Sequence, residues 1–278
     1  MKILGAGDNV IDRYRRLGVG YPGGNAVNVA VFASRLGARA AYMGVLGDDE
    51  GGRHLKRALE VEGVSTDLTE VAHGHNAYAE VEIVDTDRVF VGSDRSVQPF
   101  DLNQSQLKAM ANFDTVHTAY TGSLRSNIPE MAGQSKVSFD FGSRFTLKES
   151  VELAQHLFLA SFSTNHLSRE ESLELVEAML ERGTKNVIAT RGGEGAYLGT
   201  PEGVLFQKAE RVAVIDTLGA GDAFIASVLV GLLSGRDAKT VAASASAHAA
   251  QVCLIHGAFG HPISYHPVSE TDPKVVNS

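Results

Sequence analysis

The sequence predicts an α/β fold with a mainly parallel central sheet and a small β lid. Three observations predict it. Apolar runs of strand length recur along the 278 residues and alternate with segments of helical periodicity, the pattern of parallel strands covered by helices. One segment, from about 77 to 91, interrupts that rhythm with a period-two alternation. A Gly-Ala-Gly turn at 219–221 joins a strand-like run, Val212 to Ile215, to an apolar helix-like run, Phe224 to Leu233.

Taken in order, Lys2 to Gly7 reads as a buried strand, and Arg13 to Pro22 as a brief loop. Gly23-Gly24-Asn25 opens a helix with apolar positions at 26, 27, 29, 30, 33 and 36, closed by Gly37. Ala41 to Leu46 is a strand, and Gly47-Asp48-Asp49 leads into a charged helix ending near Gly63. Ala77 to Val84 and Arg88 to Val91, around a turn at Asp85-Thr86-Asp87, form a hairpin with one apolar face. Such an insertion serves as a lid or a dimer surface; the other reading is an edge hairpin of the main sheet. Further strands are expected at 114–120, 137–141, 157–162, 186–190 and 212–216. Gly195 to Gly203 gives a strand and turn before Val204-Leu205-Phe206. Ser168-Arg169-Glu170-Glu171 is a capping box for a helix reaching about Arg182. An Ala- and Ser-rich helix runs from about Asp237 to Leu254. Residues 1–265 therefore read as one domain, with a lid contributed by about 12–22 and 73–96, and 266–278 as a flexible tail.

Composition narrows the function. Hydrophobic content of 44% and charged content of 21% are ordinary for a globular chain. A net charge of −8 argues against a nucleic-acid partner. The local basic excess, Arg13, Arg15 and Arg16, reads as a solvated loop or as a contact for an anionic substrate. No apolar run approaches the ~18 residues of a membrane span, and no signal-peptide-like segment opens the chain. The lone Cys253 excludes an intrachain disulfide and reads as a core residue. A cytoplasmic location is expected, with neither membrane nor nucleic acid as partner.

The turn at 219–221 carries the chemistry. Helix N-termini present unpaired N–H groups and a partial positive charge, and glycine lets an anion approach them closely. Asp222 in the first turn would repel that anion, so simple anion storage is a poor explanation. A carboxylate there makes sense as the acceptor of a proton from a hydroxyl that attacks the anion, which is the layout of phosphoryl transfer to an alcohol. The plainer readings are a dinucleotide loop and a helix-start Asp. The dinucleotide fingerprint fails, because Phe224 occupies the place of its third glycine. Gly5-Ala6-Gly7 fails likewise, with Val10 in that place, and no Walker A motif occurs.

Three separated motifs coincide: Gly23-Gly24-Asn25 with Asn28, Thr190-x-Gly192-x-x-Gly195, and Asp216-Thr217-x-Gly219-Ala220-Gly221-Asp222. In this order and spacing the chain resembles the ribokinase-like (PfkB) carbohydrate kinase family from residue 1 to about 260. Further segments resemble the family's fructosamine-phosphorylating subgroup: Gly7-Asp8-Asn9-Val10-x-Asp12, Asp87-Arg88-Val89-Phe90, Ser138-Phe139-Asp140-Phe141 and His256-Gly257-Ala258-Phe259. The short connection from Asp12 to Gly23 is also similar to that subgroup.

The resemblance implies a three-layer α/β/α domain and ATP-dependent phosphorylation of a fructosamine at the sugar C6 hydroxyl. The alternatives are a kinase of a plain sugar (fructose or ribose) or of a nucleoside, and a non-catalytic sugar or nucleotide sensor. Asp222 and the intact glycine turn speak against the sensor. Asp222 would be the base, with Gly219, Ala220 and Gly221 donating N–H groups to the transferred phosphoryl group. Asp12, Gly24, Asn25 and Asn28 would hold the sugar. Thr190, Gly192 and Gly195 would line the triphosphate, and Gly257 and Ala258 the adenine. The family's Asn-x-x-Glu is replaced by Ser161-x-x-Thr164 or Asn165-x-x-Ser168. Mg2+ is therefore expected on the nucleotide, with no protein ligand assigned. A monovalent cation near Asp216 is left open, since His261 stands where some relatives have Ser. The alternating hairpin around 77–91, whose apolar face needs a cover, is expected to pair with its copy in a homodimer joined through the lid.

Overall fold

A computed structural model describes residues 1–84 and 87–265. In chain order its strands are β1 (Lys2–Ala6), β2 (Val10–Tyr14), β3 (Val19–Gly23), β4 (Arg39–Gly47), β5 (Ser65–Ala72), β6 (Tyr78–Val84), β7 (Asp87–Asp94), β8 (Thr115–Ala119), β9 (Lys136–Asp140), β10 (Leu159–Ser163), β11 (Asn186–Thr190), β12 (Gly195–Thr200), β13 (Gly203–Lys208) and β14 (Ile263–Ser264). The α-helices are α1 (Asn25–Arg35), α2 (Glu50–Val61), α3 (Gln104–Ala109), α4 (Ile128–Ala132), α5 (Leu147–Leu153), α6 (Arg169–Glu181), α7 (Ala220–Leu233) and α8 (Ala238–Val252).

Nine strands build the main sheet in the order β13-β12-β11-β10-β9-β8-β1-β4-β5. Seven of them, from β11 to β5, are mutually parallel, and β12 and β13 close one edge antiparallel. The central strands are apolar on both faces because helices cover both. One core layer packs α1, α2, α7 and α8 against the sheet. The other packs α3, α4, α5 and α6. Helix α7 is apolar nearly all round, as its position between α1 and α8 requires. Side chains fix the helix starts: Asp49 accepts from Gly52, Asp237 from Thr240, and Ser168 and Glu171 form the expected capping box.

The remaining strands form a second sheet, ordered β14-β3-β2-β6-β7. The hairpin of β6 and β7 belongs to this second sheet, so the alternative reading of an edge hairpin of the main sheet falls away. One expectation is corrected here. The segment expected as a loop, Arg13 to Pro22, is mostly the antiparallel pair β2–β3, turned by a short 3₁₀ segment and by Gly18 at φ 63°. A second correction concerns 212–216, which is no strand. Val214 and Ile215 are more than half exposed there, and the amide of Ile215 donates to Cys253 at 2.8 Å. The turn at 85–86 and the tail at 266–278 lie outside the described residues. Among the described residues no helix is long and apolar enough to cross a membrane.

Candidate active site

The polar residues converge at the carboxyl ends of the parallel strands, where open α/β sheets place their ligands. The chain leaves β1 at Asp8 and enters α1 through Gly24 at φ 106°. A Cβ on Gly24 would lie 2.6 Å from the Asn9 Cα, so glycine is needed for this close approach. Asp8 caps α1 from a distance. Its carboxylate accepts the amides of Asn25 at 2.9 Å and Ala26 at 3.2 Å, and the Thr121 hydroxyl at 2.9 Å. Burial holds the Asp8 carboxyl above its ordinary range, while these hydrogen bonds act in the opposite direction. The first turn of α1, with Asn25 and Asn28, is thereby fixed.

Asp222, in the first turn of α7, meets that turn. Asn25 Nδ2 donates to one carboxylate oxygen at 2.8 Å, and Asn28 Nδ2 to the other at 2.7 Å. Asn25 Nδ2 also donates to Asp140 at 2.8 Å, so one amide group spans two carboxylates. Its Oδ1 faces His117 Nε2 at 2.6 Å. Burial pushes the His117 pKa down to about 3, so the ring is neutral at physiological pH. An amide oxygen can only accept, hence Nε2 carries the proton and Nδ1 accepts from the Ser138 hydroxyl at 2.9 Å. Asp140 further accepts from Ser161 Oγ at 2.7 Å and from the Gly142 amide at 3.1 Å. Its carboxyl is pushed up by burial, opposed by the Ser161 hydrogen bond. The side chain of Asn25, expected on the sugar, is thus engaged by His117, Asp140 and Asp222.

Asp12 and Asn28 come together over Gly23. A Cβ on Gly23 would sit 2.6 Å from Asp12 Oδ2 and 3.8 Å from Asn28 Oδ1. Both side chains are buried. Asn28 Oδ1 has no hydrogen-bond partner, a deficit of about 1–3 kcal/mol for a buried acceptor. A ligand hydroxyl donating to it would remove that deficit.

Beyond Asp222 opens a cavity of about 690 Å³. Thr190, Gly192, Gly193 and Gly195 line one side, and Thr217, Ala220 and Gly221 the other. Val212, Val214, Phe224, Ala249, Ala250 and Cys253 give it an apolar wall. The first backbone hydrogen bond of α7 runs from the Ala223 amide to the Gly219 carbonyl. The Ala220 amide, expected to face the phosphoryl group, donates to the Thr217 carbonyl at 3.3 Å, whereas Gly221 has no intrahelical acceptor. A Cβ on Gly221 or Gly192 would meet nothing within 4 Å, so both backbones are open to the cavity. Gly219, at φ 77°, turns the chain without lining the cavity. The Thr190 hydroxyl donates to the Phe162 carbonyl at 3.2 Å. Buried Arg191 holds the neighbouring loop through the carbonyls of Thr164, Leu167 and Ser168.

Gly257 and Ala258 are not brought to the cavity wall. Gly257 lies under the ring of Tyr21, and fully buried Ala258 packs against Gly219. Asp216 accepts from the amides of Leu218 at 2.9 Å and Gly257 at 3.0 Å, and from the Tyr14 hydroxyl. His261 pairs with Glu62 at 2.7 Å.

Residue-by-residue reading missed Asp8, Tyr14, His117 and Asp140 as parts of this constellation. A signal existed for two of them. His117 is a polar residue inside an otherwise strand-like buried run, and Asp140 sits at the carboxyl end of one.

The model of a family described as pfkB family carbohydrate kinase matches residues 16–135 and 147–262. The chain is similar to the fructosamine kinase of Bacillus subtilis, with 36% identity over 270 residues and 95% of each chain covered. It is similar to the fructoselysine 6-kinase of Escherichia coli, with 35% identity over 263 residues, 93% of this chain and 100% of the other. Among solved structures, Arabidopsis thaliana ribokinase complexed with ribose and ATP superposes with a TM-score of 0.77 at 21% identity, covering 94% of each chain. Thermotoga maritima ribokinase gives 0.76 at 19% identity, covering 95% of this chain and 96% of the other. These two likenesses establish the ribokinase-like fold.

Proposed function

The chain belongs to the pfkB family of carbohydrate kinases, phosphotransferases that act on a sugar hydroxyl, and from that premise we propose that it moves the γ-phosphoryl group of ATP to the C6 hydroxyl of a fructosamine. The observation that carries the mechanism is the placement of Asp222. It sits between the glycine-lined cavity and the Asp12–Asn28 pair, oriented by two carboxamides. In this reading Asp12 and Asn28 hold the acceptor. Asp222 takes the proton of the attacking hydroxyl, the new O–P bond forms, and the bond from the γ-phosphorus to the bridging oxygen breaks to release ADP. The Gly221 amide and the positive end of α7 stabilise charge on the transferred group. Gly192 and Gly193 let the triphosphate approach their backbone, and the apolar wall suits a nucleobase.

Mg2+ prefers oxygen ligands and keeps several waters when it travels on a triphosphate. The described residues hold no cluster of three or more His, Cys, Asp or Glu side chains arranged for a metal, and we assign the ion no protein ligand. A cytoplasmic location goes with the use of ATP.

The names of the two relatives at 35–36% identity support a fructosamine as acceptor. An ADP-release panel of fructoselysine, a second fructose–amino-acid adduct, fructose, ribose and a nucleoside tests it. Charged contacts to the amino-acid part are worth about 1.5–3 kcal/mol, or roughly 10- to 100-fold. The fructosamines should therefore exceed fructose in kcat/KM by at least about tenfold. Equal or better use of a plain sugar or nucleoside would leave the family assignment and remove the fructosamine.

The second sheet is proposed as a lid and as the joint of a homodimer. Its outer face carries Arg13 stacked on Tyr78, 3.6 Å from the ring centroid, with Arg15 paired to Glu80 at 3.0 Å. Sedimentation should give about twice the 29.5 kDa chain mass. A monomer at every concentration would rule the dimer out.

A further inference from the structure

The Tyr14 hydroxyl is buried, and its partner lies 202 residues away in sequence. Tyr14 stands two residues beyond Asp12 on β2, so both side chains leave the same face of the second sheet. Asp12 belongs to the sugar side of the site. The partner of Tyr14 is Asp216, whose other carboxylate oxygen accepts the Leu218 amide at 2.9 Å, immediately before the left-handed turn at Gly219. The oxygen that Tyr14 meets also takes the Gly257 amide at 3.0 Å. Gly257 in turn lies against Tyr21, the register partner of Asp12, and the Tyr21 ring stands edge-on to Tyr14 at 5.4 Å. One carboxylate thus ties together a lid strand, the turn that opens α7 and the C-terminal segment.

We propose that Tyr14 is a positioning residue for phosphoryl transfer, its hydroxyl on Asp216 setting the strand that holds the acceptor against the turn that receives the phosphoryl group. The proposal rests on the reading above, in which Asp12 meets the sugar and the 219–221 turn meets the phosphoryl group. Tyr14 is given no contact with either reactant in that reading, and it acts through Asp216. In-line transfer needs donor and acceptor placed to within a fraction of an ångström. Each half keeps its own support without the hydroxyl: β2 stays paired to β3 and β6, and α7 stays in the core. The loss should therefore appear in turnover and not in binding.

Tyr14→Phe removes only the hydroxyl. Its kcat should fall about tenfold or more, the worth of one hydrogen bond to a charged group. KM for ATP and for the sugar should each stay within about threefold. In an Asp216→Asn background the same change should cost less than about threefold, because the charged acceptor is already gone. The assay uses whichever of fructoselysine, fructose and ribose the wild type turns over fastest. A wild type that ignores fructoselysine then refutes the substrate and leaves this test intact. A lower melting temperature with kcat within twofold of wild type would make Tyr14 merely structural and overturn the proposal. So would raised KM values at unchanged kcat, or additive losses in the double variant. Should Tyr14→Phe not fold, Asp216→Asn alone must show the kcat-selective loss.

Discussion

Replacing Asp222 by Asn is expected to lower kcat by about 10²- to 10⁴-fold, the usual worth of a general base, while ATP affinity changes by no more than a few-fold. The shape of the side chain is kept, so the cavity proposed to receive the nucleotide is undisturbed. Two things are lost. The carboxylate that would take the hydroxyl proton becomes an amide that cannot. The donors Asn25 Nδ2 and Asn28 Nδ2, which now point at its two oxygens from 2.8 and 2.7 Å, then share one acceptor with one opposing NH2. Steady-state kinetics beside calorimetric ATP titration separates chemistry from binding. A folded variant that kept half of the wild-type kcat would remove Asp222 from the base role.

The second large effect belongs to the turn, where two glycines should fail for different reasons. At Gly221 an added Cβ meets nothing within 4 Å, so Gly221→Val should fold and project into the space proposed for phosphate. Blocking that amide should cost on the order of 10² in kcat, as loss of an oxyanion-hole donor does. At Gly219 the backbone is left-handed at φ 77°, and a Cβ would lie 2.5 Å from the Cβ and 2.9 Å from the Cα of Ala258. Gly219→Ala therefore combines a left-handed penalty of about 1–2 kcal/mol with a clash against backbone. It should lower the melting temperature as well as the rate. Thermal unfolding and kinetics on both variants check the contrast. An unchanged rate in folded Gly221→Val would sink the assignment of the phosphoryl site.

The parts of the site legible in sequence are those built from local chain. The turn at 219–221 and Asp222 are one glycine-turn-to-helix signal, readable within a dozen residues. Asp12 and Asn28 became legible through resemblance, which pointed to positions but not to contacts. The work of Asn25 could not be read, because its partners His117, Asp140 and Asp222 lie 92, 115 and 197 residues away. The same distance problem hid Tyr14 on Asp216. The fold followed a similar rule. Apolar central strands announced themselves, whereas β2–β3 was masked by Gly18, Gly20, Pro22 and Gly23. Edge strand β5 was masked by its polar run Ser-Thr-Asp-Leu-Thr-Glu. Val212 to Ile215 has the composition of a strand, but Val212 and Val214 line the cavity and Ile215 is left exposed. Gly257 and Ala258 shape the turn from behind, a packing role that no local pattern encodes.

The most direct measurement is the position of the phosphate in the product. Fructoselysine incubated with ATP and Mg2+ should give one phosphorylated species, in which phosphorus couples to the C6 protons in a proton–phosphorus correlation spectrum. That species should vanish with Asp222→Asn. Phosphate on another hydroxyl, or no product from fructoselysine while fructose, ribose or a nucleoside is phosphorylated, would contradict the proposed reaction.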